Sequence, residues 1–187
     1  MAMLMAFGAL FGALPAAAQV SGEAAAAALF PPDRAAIVLD GEVRLARADR
    51  RTLEGVVAAV KYYGAIAFAP DLGLMSPATV VAQNYHSAET AEAVALAECG
   101  AKARGAACVI AARVLPEGHA PRALQMSAAA TAAFAADYLP APAPKAFALS
   151  AATGSWGFAQ GADARARAVA DCAAQQAATD CAVAVAD

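Results

Sequence analysis

Glu89-Thr-Ala-Glu-Ala-Val-Ala-Leu-Ala-Glu-Cys99 and Ala162-Asp-Ala-Arg-Ala-Arg-Ala-Val-Ala-Asp-Cys172 are alanine-rich runs of one length, each ending in an acidic residue and a cysteine. Alanine has the highest helix propensity, so both runs predict helices. Eight residues separate Cys99 from Cys108, and eight separate Cys172 from Cys181. After the second cysteine of each pair comes a short apolar run, Val109-Ile-Ala-Ala-Arg-Val114 in one case and Ala182-Val-Ala-Val-Ala186 in the other. Before each helix stand Ala65-Ile-Ala-Phe-Ala-Pro-Asp-Leu-Gly73 and Ala146-Phe-Ala-Leu-Ser-Ala-Ala-Thr-Gly154, a strand followed by a turn that closes on glycine. The chain therefore contains one unit twice: strand, turn, strand, helix, cysteine loop, strand. This predicts an α+β fold of two such units, each with an internal disulfide.

The copies differ in one place. Ser155 to Gln160 supplies the returning strand of the second, whereas the return of the first is longer, from Leu74 through Tyr85. That insertion leads into Asn84, Tyr85 and His86, which makes these residues the candidates for a binding site. Repeat one is expected over residues 62–115 and repeat two over 145–187, framed by an N-terminal segment, 19–61, and a connecting strand and helix, 116–144. In the frame, Asp40-Gly41 is a turn signal between Ala35–Leu39 and Glu42–Leu45 and predicts a hairpin. Asp49 is placed to cap a helix carrying Leu53, Val56, Val57 and Val60 on one face. Arg122–Met126 reads as a strand, and Ser127 as the N-cap of a helix over Ala128–Tyr138. Pro140, Pro142 and Pro144 stop that helix and form a stiff linker.

The four cysteines are even in number and matched in context, so bridges Cys99–Cys108 and Cys172–Cys181 are expected, with other connectivities open on spacing alone. No metal site is expected. Structural zinc sites use cysteines two to four residues apart, and the only histidines, His86 and His119, lie far apart in the sequence. Disulfides belong to oxidising compartments, and the N-terminus agrees with export. Met1 to Leu14 is apolar and uncharged, and small residues at Ala16 and Ala18 match a cleavage signal. A signal peptide over residues 1–18, a mature start at Gln19 and a periplasmic or secreted location follow as expectations. No Lys or Arg precedes the apolar run, which leaves the translation start open.

At 187 residues the chain is long enough for one domain with a working core. Its 61% hydrophobic content is dominated by alanine, and no membrane span is expected after signal cleavage. A net charge of −3 gives no footprint for nucleic acid, and acidic neighbours interrupt the basic cluster Arg44, Arg47, Arg50 and Arg51.

Tyr63-Gly-Ala-Ile-Ala-Phe68, the helix ending in Cys99 and the Cys108-Val-Ile strand together resemble a family of secreted bacterial proteins catalogued as domain of unknown function 4189. The resemblance covers roughly Tyr63 to Val114, and more faintly Phe147 to the C-terminus. It implies an exported domain and carries no established activity. Leu29-Phe-Pro-Pro32, Tyr62-Tyr-Gly-Ala-Ile-Ala67, Gly73-Leu-Met-Ser76, Asn84-Tyr-His86 and Ala130-Thr-Ala-Ala-Phe134 also make the chain similar to short alphaproteobacterial proteins labelled 5-aminolevulinate synthase. That label implies pyridoxal phosphate, which needs a Schiff-base lysine and a phosphate cradle. Lys61, Lys102 and Lys145 are the only lysines and none lies in such a context, so no cofactor is expected.

His86 is the leading catalytic candidate, with Ser76 and Ser87 near it in sequence, but a histidine that ends a strand and helps to cap the helix beginning at Ser87 explains the pattern better. His119 reads as an exposed loop residue. Glu89 and Glu92 are explained by the helix dipole, and Trp156, Tyr62 and Tyr63 suit either a recognition surface or the core. These readings point to a non-catalytic domain that binds a protein or a cell-envelope ligand, with an enzyme using His86 as the alternative.

Overall fold

The computed structural model describes residues 19–56 and 59–187, so the expected signal peptide and Val57 lie outside the described residues. The fold is α+β, with seven strands among the described residues, arranged in two antiparallel sheets. β2 (Gly64–Phe68), β3 (Val80–Ala82), α3 (Ala88–Lys102) and β4 (Val109–Pro116) form the first unit, and β5 (Lys145–Leu149), β6 (Trp156–Gln160), α5 (Ala164–Ala174) and β7 (Ala182–Ala186) the second. In both units the first strand is central, the second lies on one side of it and the last on the other. The first sheet gains β1 (Ala35–Leu39) outside β4, giving the order β1-β4-β2-β3 against β6-β5-β7.

The duplication extends to irregularities. Ala67 pairs with Ile110 and Ile66 with Ala112, so Ala111 bulges out of the ladder. At the equivalent place Ala148 pairs with Val183 and Phe147 with Val185, and Ala184 bulges. Gly73 and Gly154 both have positive φ, +82° and +74°, and each donates its N–H to the carbonyl four residues earlier, at 3.1 and 3.2 Å. Both disulfides join the predicted pairs, with Cα atoms 6.1 Å apart in each. Each ties the end of the helix to the start of the last strand.

The sequence explains this packing. Ala91, Ala95 and Cys99 recur every four residues along α3 and meet Ala65 and Ala67 of β2. Ala164, Ala168 and Cys172 meet Ala146 and Ala148 in the second unit. Alternate residues point to opposite faces of a strand, so the larger residues between these alanines face the other way. Ile66 and Phe68 pack with Leu53 of α2 (Arg47–Val56), and Phe147 packs with Phe134 and Tyr138. Those two aromatics sit in a wide turn, Phe134–Tyr138, that continues α4 (Ala128–Ala133), and the Ser127 hydroxyl caps α4 at Ala130 N–H, 3.1 Å away. Thus each sheet has an alanine face under its own helix and a bulky face under a framing helix.

Two predicted strands are absent. Glu42–Leu45 is not a strand, because β1 takes β4 as its partner from Ala35↔Pro116 to Leu39↔Ala112. The Asp40 carboxylate accepts the Glu42 N–H at 2.9 Å and turns the chain, and Val43 and Leu45 pack into the core instead. Nor is Arg122–Met126 a strand. Arg122 donates to the Ala28 carbonyl and lies 3.7 Å from the centre of the Phe30 ring, while Leu124 and Met126 fill the core beneath α4. Asp49 sits within the first turn of α2 rather than before it. At the N-terminus Val20 bridges to Val185, and the following short helix α1 (Gly22–Ala28) is held by Asp187, which accepts the Gly22 N–H at 2.9 Å.

No helix among the described residues is long and apolar enough to cross a membrane. Two formed disulfides fit an oxidising environment.

The close approach of helix and strand is testable at glycine. A Cβ on Gly157 would meet the Ala168 carbonyl oxygen at 2.1 Å and the Cys172 nitrogen at 2.4 Å, both backbone atoms of α5. Gly157→Ala is expected to destabilise by about 1–3 kcal/mol. Gly100, on α3 with open space around it, should behave oppositely, Gly100→Ala stabilising by about 0.5–1 kcal/mol. Urea unfolding midpoints of the two variants check both signs.

Candidate functional site

Asn84, Tyr85 and His86 are brought together with residues from three other parts of the fold. Asn84 has φ +64°, and its Oδ1 accepts the Ala129 N–H in the first turn of α4 at 2.9 Å. Tyr85 donates its N–H to the Tyr63 carbonyl at 3.1 Å, and its ring packs beside α3. His86 is buried, with 6% of its surface exposed. Its Nδ1 accepts the Ser127 N–H at 2.9 Å, which leaves the proton on Nε2, 3.0 Å from the Ser155 carbonyl at the start of β6. One imidazole thus joins the first unit, the α4 cap and the second unit. Gly154 closes on the same joint, where a Cβ would meet the Asn84 carbonyl oxygen at 2.5 Å. Burial lowers the His86 pKa, and the Ser155 carbonyl and the Asp180 carboxylate oppose that shift.

The other candidates have separate positions. The Ser87 hydroxyl caps α3 at Thr90 N–H, 3.1 Å away, and Ser76 Oγ accepts the Ala78 N–H at 3.3 Å. Glu92 does not face Glu89 in a carboxylate pair but takes a two-pronged contact from Arg113 at 2.6 and 3.0 Å, and Arg113 also reaches Asp40 at 3.1 Å. Lys145 is buried, its ammonium donating to the Tyr138 and Leu139 carbonyls at 3.0 and 3.3 Å. Lys102 pairs with Glu98 at 3.7 Å. Tyr62 and Tyr63 are core residues, and Trp156 stacks on Phe147 at 5.5 Å. Among the described residues no group of three or more His, Cys, Asp or Glu side chains could hold a metal ion.

His119 is not an exposed loop residue. Its ring is half-buried, 5.9 Å from Phe30 and 5.7 Å from Tyr63. Burial pushes the Tyr63 phenol up to about 12. Neither the Tyr63 hydroxyl nor His119 Nδ1 has a hydrogen-bond partner among the described residues.

The insertion shapes a feature that sequence reasoning missed. Leu74, Met75, Ser76, Thr79 and Val81 join Thr52, Leu53 and Val56 of α2 and Ile66 of β2 around a groove of about 250 Å³. Its walls are almost wholly apolar, Met75 is 82% exposed and Val81 46%. The signal available in the sequence was the apolar content of an insertion beside a short strand.

Comparison with known proteins adds no relative: no family model, no curated protein and no solved structure matches the chain.

The joint makes a pH prediction. The unfolded chain binds a proton at His86 near the ordinary pKa of 6.5, before the folded protein does. Stability from the neutral ring is therefore complete above about 6.5 and is lost as pH falls from there to the lowered folded value. Protonation also places an N–H on Nδ1 against the Ser127 N–H. His86→Ala strands the buried Ser127 N–H and removes one donor from the Ser155 carbonyl, which keeps the Ser150 N–H at 2.9 Å, and should cost about 1–3 kcal/mol at pH 7.5. Urea titrations from pH 7.5 to pH 4.5 should show a smaller loss of stability in the variant than in the parent chain.

Proposed function

We propose that the protein is an exported, periplasmic or secreted domain that acts by binding a protein or cell-envelope ligand, without catalysis of its own. The observation that carries this reading is the groove of about 250 Å³ built by the insertion, the one segment in which the two units differ most. Repeated parts of a duplicated scaffold answer to folding, whereas an insertion that places Met75 and Val81 in solvent answers to something outside the fold. The disulfides support export, and the resemblance of Tyr63–Val114 to a secreted bacterial family agrees with it. Against a catalytic role for His86 stands its geometry: both ring nitrogens are occupied by backbone groups, leaving neither for a substrate.

Mass spectrometry of protein from its native host should show cleavage after Ala18 and the loss of four thiol hydrogens. Free thiols in an uncleaved cytosolic chain would sink the reading. Complementation of a deletion strain separates binding from catalysis. Met75→Asp, at an exposed site, is expected to leave folding intact and fail to complement. A folded His86→Gln variant is expected to complement, and the reverse pattern would favour an enzyme.

A further inference from the structure

Two sheets present four outer strands, β1, β3, β6 and β7, whose outward backbone groups invite pairing with another chain. Two of them, β7 and β6, are closed by the fold. Val20 donates to the Ala184 carbonyl and accepts from Ala186 N–H, both at 3.2 Å, and so covers β7. Along β6, side chains four residues apart on α5 and its C-cap take the outward groups: Gln175, the C-cap, donates to the Trp156 carbonyl at 2.6 Å, Asp171 accepts the Phe158 N–H at 3.2 Å, and Arg167 donates to the Gln160 carbonyl. β1 is open along its edge: among the described residues no hydrogen bond reaches Ala35, Ile37 or Leu39 from outside the sheet, and Val43 and Leu45 fill the face that holds Ile37 and Leu39, which leaves no apolar groove there for a partner's side chain.

β3 is open as well. Val81 lies opposite Ile66 as Phe158 lies opposite Phe147, so its N–H and C=O point away from the sheet. The α3 residues equivalent to Arg167, Asp171 and Gln175 are Val94, Glu98 and Lys102. Val94 packs inward, and Glu98 pairs with Lys102. Among the described residues no hydrogen bond reaches the Val81 N–H or C=O from outside the sheet. The groove opens beside this strand, on the face that carries the Val81 side chain.

We infer that β3 receives an extended segment of a partner polypeptide, which adds a strand at Val81 and seats an apolar side chain in the groove between Met75, Val56 and Leu53. This deepens the reading of the protein as a binding domain and rests on it. Backbone bonds at the edge fix the segment's extended form, and the apolar walls fix the chemistry of its inward side chains. The size of the edge argues against a second copy as the occupant. Three residues span about 10 Å, and pairing so short an edge with its own copy would bury far less than the roughly 800 Å² per partner of a stable dimer. A single strand fits that length.

The probe is a panel of capped octapeptides in which threonine alternates with valine, leucine or phenylalanine, with lysine at each end. These are titrated into the intact disulfide-bonded protein and followed by amide NMR. At least one peptide should bind with a Kd below about 1 mM, shifting Ile66 and residues 79–83. At saturation hydrogen exchange at Val81 should slow about tenfold or more, with Phe158 unchanged. Val81→Pro removes the outward N–H at an edge that tolerates proline, and should weaken binding about tenfold, as should N-methylation of alternate peptide amides. Met75→Lys, at a site too exposed to unfold the chain, should weaken it too. Equal binding of the N-methylated peptide, shifts confined to other surfaces, concentration-dependent self-association at this edge, or no binding across the panel would each overturn strand addition. In an exported chain with both bridges, those outcomes leave the broader binding reading standing. A cytosolic chain with free thiols removes that reading whatever the peptides do.

Discussion

Ala91, Ala95 and Cys99 on α3, and Ala164, Ala168 and Cys172 on α5, hold each helix close to a strand whose facing residues are also alanines. Everything else in the fold follows from this approach. Side chains of one carbon let backbones come near, and at Gly157 even one carbon is too many. But alanine buries little apolar area, at roughly 25 cal/mol per Å², so the contact is tight without being strong. The cysteine that ends each stripe supplies a covalent substitute, worth roughly 2–3 kcal/mol for a loop of this size. It fixes the helix end to the last strand and so sets the register on both sides of the central strand. The larger residues are displaced to the opposite face, where α2 and the α4 turn cover them.

Two such units have little reason to stay together through their alanine faces, which are each consumed internally. The joint between them adds polar groups to the apolar contact of Ala128 with Tyr62, Tyr63 and Ala88. His86 satisfies a donor at Ser127 and an acceptor at Ser155, and Asn84 satisfies another donor at Ala129. A neutral imidazole suits this position because it offers one acceptor and one donor on opposite sides of a rigid ring. The joint is consequently specific in geometry and sensitive to protonation, which a purely apolar interface would not be.

Most of the repeated architecture was legible in the sequence because its signals are local. Helix runs, glycine-closed turns and cysteine spacing all lie within one unit, and repetition made each more credible. What failed depended on distant partners. Glu42–Leu45 has strand-like composition, yet β1 pairs with β4, a competitor invisible from the Asp40-Gly41 turn. Arg122–Met126 is extended in pattern, but Arg122 is committed to Ala28 and Phe30. His119 looked exposed because glycine and proline surround it, and its contacts come from Phe30 and Tyr63, far off in the chain. The insertion drew attention to residues 84–86, which do converge, though inward as a joint. The surface it creates lies a few residues earlier, at Met75 and Val81, where sequence alone showed only apolar residues in a loop.

The two units therefore carry different information about function. Where they agree, in the alanine stripe, the bridge, the bulge and the glycine turn, the residues are accounted for by folding. Their disagreement at the strand edges is informative because both edges face the same physical problem. On β6 three polar side chains from α5 and its C-cap are spent on the exposed backbone, and the equivalent residues of α3 are not. A three-residue strand limits the hazard by its shortness, but shortness does not explain an apolar groove placed alongside it. An edge left open where the same chain shows how to close it, with Met75 and Val81 exposed beside it, has the form of a recognition surface rather than of an unfinished scaffold.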